Sequence, residues 1–202
     1  MYEKYGQFTD GKWHQSSSGE TYEVLNPANE EIIGHASKAS PEDVERALRS
    51  AEKGLEVWRK TPPWQRAYIL RRIADKMREK QDILAKWMTL EVGKPFAEAK
   101  GEVNGAADIF EWNAEETKRI YGQTVESRFE DTRVHVYYQP VGVVAALVPW
   151  NFPLVLSARK ISTALAAGCS VIVKPDVITP GVVMEQVEIC RECGVPPGVV
   201  NL

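Results

Sequence analysis

Cysteine is scarce in this chain of 202 residues, which carries only Cys169, Cys190 and Cys193. Three cysteines are too few and too unevenly placed for a disulfide framework, so a reducing cytoplasm is the simplest setting. Long apolar runs are absent as well, because no stretch approaches the roughly 20 residues that a membrane helix needs. The first residues lack the basic and apolar regions of a secretory signal, so we expect none.

Excess charge of one sign is also missing, since the formal net charge is -3 at pH 7. This balance gives no reason to expect nucleic acid or an anionic membrane as a partner. The usual dinucleotide fingerprint G-x-G-x-x-G does not occur, because no two glycines lie two positions apart. A dinucleotide site in this chain would therefore have to be built in another way.

A metal or redox site is not indicated either. Cys190 and Cys193 form a C-x-x-C, but they fall at the carboxyl end of a predicted helix, where the helix dipole opposes a thiolate. His14, His35 and His135 are scattered along the chain, so a set of four zinc ligands is not in sight. We interpret the cysteine pair as structural and predict no metal site.

The first part of the chain predicts short strands followed by helices. Residues 5–35 carry turn signals, among them the hairpin dipeptide Asp10-Gly11. Ser40 then caps a helix that begins at Pro41. One buried face is predicted for this helix from residues at helical spacing: Val44, Ala47, Leu48, Ala51, Leu55 and Trp58. Further helices are predicted over 64–80, 83–92 and 96–121, the last with a stripe that starts at Phe96.

The pattern changes in the last third of the chain. Residues 133–138 alternate between two kinds of side chain, which predicts a two-faced, antiparallel strand. After Gly142 the order becomes β-α-β-α-β, with strands over 143–148, 170–173 and 198–202 and helices over 152–167 and 179–193. The continuous apolar run 143–148 predicts a strand buried on both faces. This alternation predicts an α/β fold with a parallel, doubly wound sheet.

Asn151 is the strongest candidate for chemistry, because it follows the first of these strands and precedes a helix that starts near Pro153. The carboxyl ends of strands in open α/β sheets are where ligands bind. A side-chain amide there can donate a hydrogen bond to a developing oxyanion. The alternative is that Asn151 is a helix N-cap, which is a common use of asparagine.

Several motifs occur in an order that resembles the NAD(P)-dependent aldehyde dehydrogenase superfamily. They are Leu25-Asn26-Pro27-Ala28, Glu91-Val92-Gly93-Lys94-Pro95, Gly142-Val143-Val144, Pro149-Trp150-Asn151-Phe152-Pro153, Ala164-Leu165-Ala166-Ala167-Gly168-Cys169, Val173-Lys174-Pro175 and the stretch from Gly194 to Asn201. The resemblance covers nearly all of the chain and corresponds to the amino-terminal portion of the family. It implies an incomplete doubly wound parallel sheet, the first half of a Rossmann-like cofactor domain.

The resemblance also implies a division of the chain. Residues 1–122 would be the amino-terminal strands and helices of the cofactor-binding domain. Residues 123–141 would be an oligomerisation-type β segment, which implies a homo-oligomer for the complete enzyme. Residues 142–202 would be the first β-α-β-α-β half of the cofactor sheet.

The implied activity is oxidation of a small-molecule aldehyde to the carboxylic acid with NAD or NADP. Stretches 104–116 and 118–122 resemble the branch acting on succinate semialdehyde and related semialdehydes. The family's nucleophilic cysteine, general base and glycine turn under the cofactor phosphates come later than Leu202, so we expect the chain alone to be inactive. The alternatives are a non-catalytic remnant that binds a partner or oligomerises through strand 133–138, or an incomplete reading frame without function at this length.

Individual residues take roles from the same resemblance. Asn151 would be the catalytic oxyanion donor, and Phe152 would line the substrate tunnel. Lys174 would contact the adenosine ribose, and the alternative is a solvated lysine at a strand end. Val148, Pro149 and Trp150 would wall the nicotinamide side of the cofactor cleft; packing alone is the alternative for these residues and for Phe152.

Position 177 departs from the family pattern. Many members carry a glutamate there that holds both ribose hydroxyls, whereas this chain has Val177. The absence of that glutamate removes an acceptor for the 2′-hydroxyl and a charge that would repel a 2′-phosphate. The change therefore predicts tolerance of NADP.

Overall fold

A computed structural model describes residues 2–202. The strands are β1 Gln7–Thr9, β2 Lys12–His14, β3 Thr21–Leu25, β4 Ile32–Ser37, β5 Gln123–Glu126, β6 Arg133–Val136, β7 Val143–Leu147, β8 Ser170–Lys174 and β9 Val200–Asn201. The helices are α1 Pro41–Trp58, α2 Pro63–Glu79, α3 Gln81–Val92, α4 Phe96–Thr117, α5 Pro153–Ala167 and α6 Pro180–Glu192. Within residues 2–202, none of these helices combines the length and apolar character needed to cross a membrane.

Local signals set most element boundaries as predicted. At the hairpin between β1 and β2, Asp10 and Gly11 both adopt positive φ, which matches the twist of two paired strands. Ser40 caps α1, and its hydroxyl accepts from the amide of Asp43 while the Asp43 carboxylate accepts from the amide of Ser40. Helix α3 ends at Gly93, whose left-handed φ of 73° stops the helix before Pro95.

The predicted buried face of α1 is partly wrong. Ala47, Ala51 and Trp58 are buried, but Val44 and Leu48 are exposed. The buried face instead includes Ser50 and Gly54. Small residues are needed there because α1 runs very close to the loop before β9, and a Cβ on Gly54 would come within 2.1 Å of the Gly198 carbonyl carbon.

Helix α4 also departs from its prediction. It ends at Thr117, not at residue 121, and Phe96 at its start is exposed. The other residues of the predicted stripe are buried, namely Ala99, Val103, Ala106, Phe110 and Ala114. Turn hydrogen bonds from the amides of Lys118 and Arg119 close the helix, and residues 118–122 lead to the hairpin of β5 and β6. At Gly122 the chain passes so close to β6 that a Cβ would lie 2.4 Å from the Val136 carbonyl oxygen.

Three parallel strands form the sheet that carries the site, in the order β7-β8-β9. The predicted burial of β7 on both faces is wrong, because Leu147 is 62% exposed. Within residues 2–202, β7 is an edge strand with β8 as its single neighbour. Strand β9 covers only 200–201 of the predicted 198–202.

The hairpin of β5 and β6 is antiparallel, as predicted for the second strand. All of its strand residues are exposed, so neither face packs against the rest of residues 2–202. The aromatic side chains that follow it, Tyr137 and Tyr138, are exposed as well.

A layer of helices supports the sheet. Helices α2 and α4 pack against α5, which connects β7 with β8. The largest buried side chains in this layer include Trp58, Phe110, Leu70, Met77, Leu154 and Ile161. The indole of Trp58 donates to the carbonyl of Leu165 over 2.8 Å, which fixes the end of α1 against the end of α5.

Glu91 of α3 is a fully buried carboxylate that holds the start of α6. It accepts from the amides of Gly181 and Val182 over 2.6 and 3.1 Å, and from the Tyr2 hydroxyl over 2.5 Å. Helix α6 has no side-chain cap of its own, so Glu91 satisfies its free amides. Burial raises the pKa of Glu91 to about 7, although these three hydrogen bonds act to lower it.

We predict that Glu91 makes stability fall as pH rises. Its folded pKa lies above the ordinary 4.5, so its contribution is present below pH 4.5 and is lost as pH rises through about 7. Urea unfolding of the 202-residue chain should show a loss of roughly 3 kcal/mol from this group. Glu91→Gln should remove that part of the pH dependence. Equal pH profiles for both proteins would contradict the assignment.

Alanine substitution at two helical glycines should change the free energy of unfolding in opposite directions. A Cβ on Gly101 of α4 meets no atom within 4 Å, so Gly101→Ala should raise the free energy of unfolding by about 0.5–1 kcal/mol. Gly54→Ala should lower it, because its Cβ would collide with the backbone at Gly198. Denaturant titration of the two variants checks both signs, and a destabilised Gly101→Ala protein would contradict the open space beside Gly101.

Candidate active site

The carboxyl ends of β7 and β8 lie side by side, and the predicted site residues follow them. Leu147 pairs with Lys174 in register, and the amide of Val148 donates to the carbonyl of Lys174 over 3.0 Å. Segments 148–152 and 174–177 therefore leave the sheet at the same edge. In open parallel sheets this edge is the usual place for a ligand.

The turn between β7 and α5 exposes most of its side chains. Trp150 and Phe152 are each half exposed, and Pro149 and Asn151 are exposed too. Val148 is buried, so its side chain packs inside and only its backbone could meet a ligand. The turn thus presents two aromatic rings and one amide side chain at the edge of the sheet.

Asn151 does not cap helix α5. The N-cap residue is Phe152, which has no side-chain hydrogen bond to offer. Glu102 of α4 takes the capping role, because its Oε1 accepts from the amides of Leu154 and Val155 over 3.0 and 3.2 Å. The cap interpretation of Asn151 is therefore wrong, and its side-chain amide is not used to hold the helix start.

Lys94 ties this turn to the helical layer. Its ammonium forms an ion pair with Glu102 and donates to the main-chain oxygen of Asn151 over 3.3 Å. The same ammonium lies 4.0 Å from the centre of the Phe152 ring, within the range of a cation–π contact. One cation therefore contacts both residues that precede α5.

A cavity of about 710 Å³ lies beside the end of β8. Lys174, Pro175 and Val177 contribute to its lining. Its size falls in the range typical of small-molecule sites, and its walls are mostly apolar. Residues 148–152 do not line it, so the structure brings Lys174 and Val177 to one cavity and leaves Asn151 outside.

The Lys174 side chain is free to serve a ligand. It is exposed, and its ammonium donates to the neighbouring Pro175 carbonyl over 3.2 Å. Val177 is 55% exposed. Asp176 is not among the residues that line the cavity, and its Oδ1 accepts from the Ile178 amide within its own turn.

Sequence reasoning missed the opposite side of the cavity, which comes from the paired strands β3 and β4 and the start of α1. Tyr22, Lys38 and Val44 lie there. Burial, followed by the negative charges of Glu91 and Asp176, raises the pKa of Tyr22 to about 12, so its hydroxyl stays protonated and can donate. The alternating side chains of β3 do not predict this role, because the periodicity of a strand does not identify the distant element that will pack against it.

The three cysteines are buried and free. Burial raises the pKa of the Cys190 thiol, and the neighbouring Cys193 adds to the effect. Burial also raises the pKa of Cys193. Both thiols therefore resist ionisation, which agrees with a structural role for the C-x-x-C and is unsuited to nucleophilic attack.

The sequence model of the aldehyde dehydrogenase family matches residues 13–202. The chain belongs to this family. The match takes in both segments at the carboxyl edge of the sheet and the helices that support them.

Curated relatives extend the match. Glutarate-semialdehyde dehydrogenase of Pseudomonas aeruginosa is 45% identical over 195 residues, which cover 96% of this chain and 40% of that protein. Succinate-semialdehyde dehydrogenase [NADP(+)] GabD of Escherichia coli is 45% identical over 193 residues, with coverage of 96% and 40%. The chain therefore spans about two fifths of the length of these relatives.

Solved structures show the same fold for this part. The crystal structure of an E. coli NADP dependent enzyme superposes with a TM-score of 0.96 at 44% identity, over 97% of this chain and 41% of that one. Betaine aldehyde dehydrogenase of Staphylococcus aureus, in complex with NAD+, superposes with a TM-score of 0.96 at 35% identity, over 98% and 41%. The predicted resemblance to aldehyde dehydrogenases is confirmed.

Proposed function

We propose that this chain is the amino-terminal portion of an NAD(P)-dependent aldehyde dehydrogenase that oxidises a small aldehyde to its carboxylic acid. The observation that carries the proposal is the exposed side-chain amide of Asn151 at the carboxyl end of β7. This amide does not cap α5, because Glu102 accepts from the first amides of that helix. A preorganised amide at such a place suits a developing oxyanion. Family membership supports the reaction class.

Asn151 has a defined task in this proposal. When a thiolate adds to the aldehyde carbon, the carbonyl oxygen becomes an oxyanion, and the Asn151 amide donates a hydrogen bond to it. The thiolate comes from outside these 202 residues, because Cys190 and Cys193 resist ionisation and Cys169 is buried. We therefore expect the chain alone to be inactive.

The cofactor proposal is NAD or NADP. When bound, the dinucleotide supplies the hydride acceptor for the oxidation. Lys174 fits the adenosine end, because its side chain is exposed at the 710 Å³ cavity and its ammonium has further protons to donate to ribose hydroxyls. Pro149 and Trp150 would wall the nicotinamide side together with the Val148 backbone, and Phe152 would meet the substrate.

A semialdehyde is the proposed substrate class. Two of the most similar relatives carry the names glutarate- and succinate-semialdehyde dehydrogenase, each at 45% identity. A short dicarboxylic semialdehyde, with an aldehyde at one end and a carboxylate at the other, is therefore the first substrate to test.

We also propose the domain division 1–122, 123–141 and 142–202, with a doubly wound, Rossmann-like continuation of the sheet. The parallel order β7-β8-β9 supports the last part. The exposed hairpin of β5 and β6 supports an oligomerisation role for the middle segment and a homo-oligomeric complete enzyme. Three free cysteines agree with the proposed cytoplasmic setting.

A chimera provides the test of activity. Residues 1–202 would be joined to the remaining part of the P. aeruginosa relative, and reduction of NAD or NADP with succinate or glutarate semialdehyde would be followed by absorbance. We expect turnover by the chimera and none by residues 1–202 alone. A folded chimera without turnover on any aldehyde would contradict the proposed function.

In this chimera, Asn151→Ala should lower kcat by about 10²–10³-fold, as for the loss of one oxyanion donor. The KM for the dinucleotide should stay within about twofold, because Asn151 does not line the cavity that contains Lys174. Asn104→Ala, on an exposed position of α4, is the matched control and should behave like the parent. An unchanged kcat in a folded Asn151→Ala protein would remove the oxyanion role.

Val177→Glu should shift the chimera from NADP towards NAD. The new carboxylate would accept from the ribose 2′-hydroxyl and repel a 2′-phosphate. A preference of about 1.4 kcal/mol for NAD over NADP would change the ratio of their kcat/KM values tenfold. Val141→Glu, at a position that is 89% exposed and outside the cavity, is the control for added charge. A ratio that stays the same in Val177→Glu would place position 177 away from the ribose.

A further inference from the structure

Helix α5 begins without any local means of satisfying its first amides. Its N-cap residue is the apolar Phe152, and its first residue is Pro153. The next two amides, those of Leu154 and Val155, both donate to Oε1 of Glu102. Glu102 lies 52 positions earlier, on α4, so the start of α5 is fixed by another helix.

The Glu102 carboxylate is taken out of water to do this. Its side chain is 2% exposed, and the side chain of its partner Lys94 is 10% exposed. A buried carboxylate is stabilised by an opposite charge and by the positive end of a helix dipole, and Glu102 has both. Removing only one member of the pair would leave the other charge buried without a partner, which is strongly destabilising.

The same Lys94 ammonium also contacts the turn between β7 and α5. It reaches the Asn151 main-chain oxygen at 3.3 Å and the Phe152 ring at 4.0 Å. The Lys94 backbone is fixed, because Gly93 ends α3 in a left-handed conformation and Pro95 precedes α4. The backbone of Asn151 is thus held from one side by Lys94, while the helix that follows is held by Glu102.

We propose that Lys94 and Glu102 are positioning residues for catalysis, which hold the Asn151 backbone so that its side-chain amide points at the reacting oxygen. The inference rests on the proposed function, and it adds two residues from the helical layer to the site. Neither residue needs to touch the substrate. An oxyanion donor must lie within about 2.7–3.1 Å of the developing charge, so a small shift of the turn has a large effect on rate.

The test uses a charge-neutral pair of substitutions in the chimera, Lys94→Met with Glu102→Gln. Glutamine keeps an oxygen acceptor for the amides of α5, and methionine keeps most of the lysine stem. Because both charges leave together, no unpaired buried charge remains and the fold should be retained. What is lost is the hold on Asn151 and Phe152.

We expect kcat for the semialdehyde to fall about tenfold or more, with the dinucleotide KM within about twofold of the parent and the melting temperature nearly unchanged. The matched control is Lys100→Met with Asp82→Asn. In that pair the Lys100 ammonium lies 2.7 Å from a carboxylate oxygen of Asp82. The ammonium also lies 5.2 Å from the centre of the Phe96 ring, but it does not contact Asn151. This control should keep the parent kcat.

A double-mutant cycle decides whether the effect acts through Asn151. When the Lys94 and Glu102 substitutions are added to Asn151→Ala, kcat should fall no further. An equal fall in both backgrounds, or a parent-like kcat in the charge-neutral pair, would overturn the positioning role and leave the proposed function intact. An unaffected kcat in Asn151→Ala itself would overturn both the oxyanion role and this inference.

Discussion

Two buried carboxylates hold the sheet helices of this protein to the helical layer, and the candidate site depends on them. Glu102 of α4 accepts from the first amides of α5, and Glu91 of α3 accepts from the first amides of α6. Neither helix has a side-chain cap of its own. Free amides at a buried helix start are costly, so each contact fixes a helix and also fixes the strand–helix turn before it.

The helical layer therefore holds the helix starts, and the turns after the strands present the candidate site residues. The residues directly after β7 and β8 need not satisfy the helix starts, so the side chains of Asn151 and Lys174 stay exposed at the carboxyl edge of the sheet. The two carboxylates are balanced differently. Glu102 has the cation of Lys94, whereas Glu91 has the Tyr2 hydroxyl, and burial raises the pKa of Glu91 accordingly.

The departures from prediction concern the neighbours that cover, or leave uncovered, each face of an element. Val44 and Leu48 are exposed because close contact of α1 with Gly198 selects its small residues for the buried face. Leu147 is exposed because β7 is an edge strand within residues 2–202. Helical and strand periodicity give the faces of an element, but they do not identify the neighbour that will cover a face.

The sequence by itself determined the six helices to within a few residues, the parallel direction of the last three strands and the family. Ser40, Gly93 and the prolines at helix starts act on residues one to four positions away, so their effect can be predicted from the sequence. Tertiary structure decided that Glu102 and not Asn151 caps α5, and that Tyr22 lines the cavity with Lys174. Those pairings join positions 52 or more apart, and only folding brings them into contact.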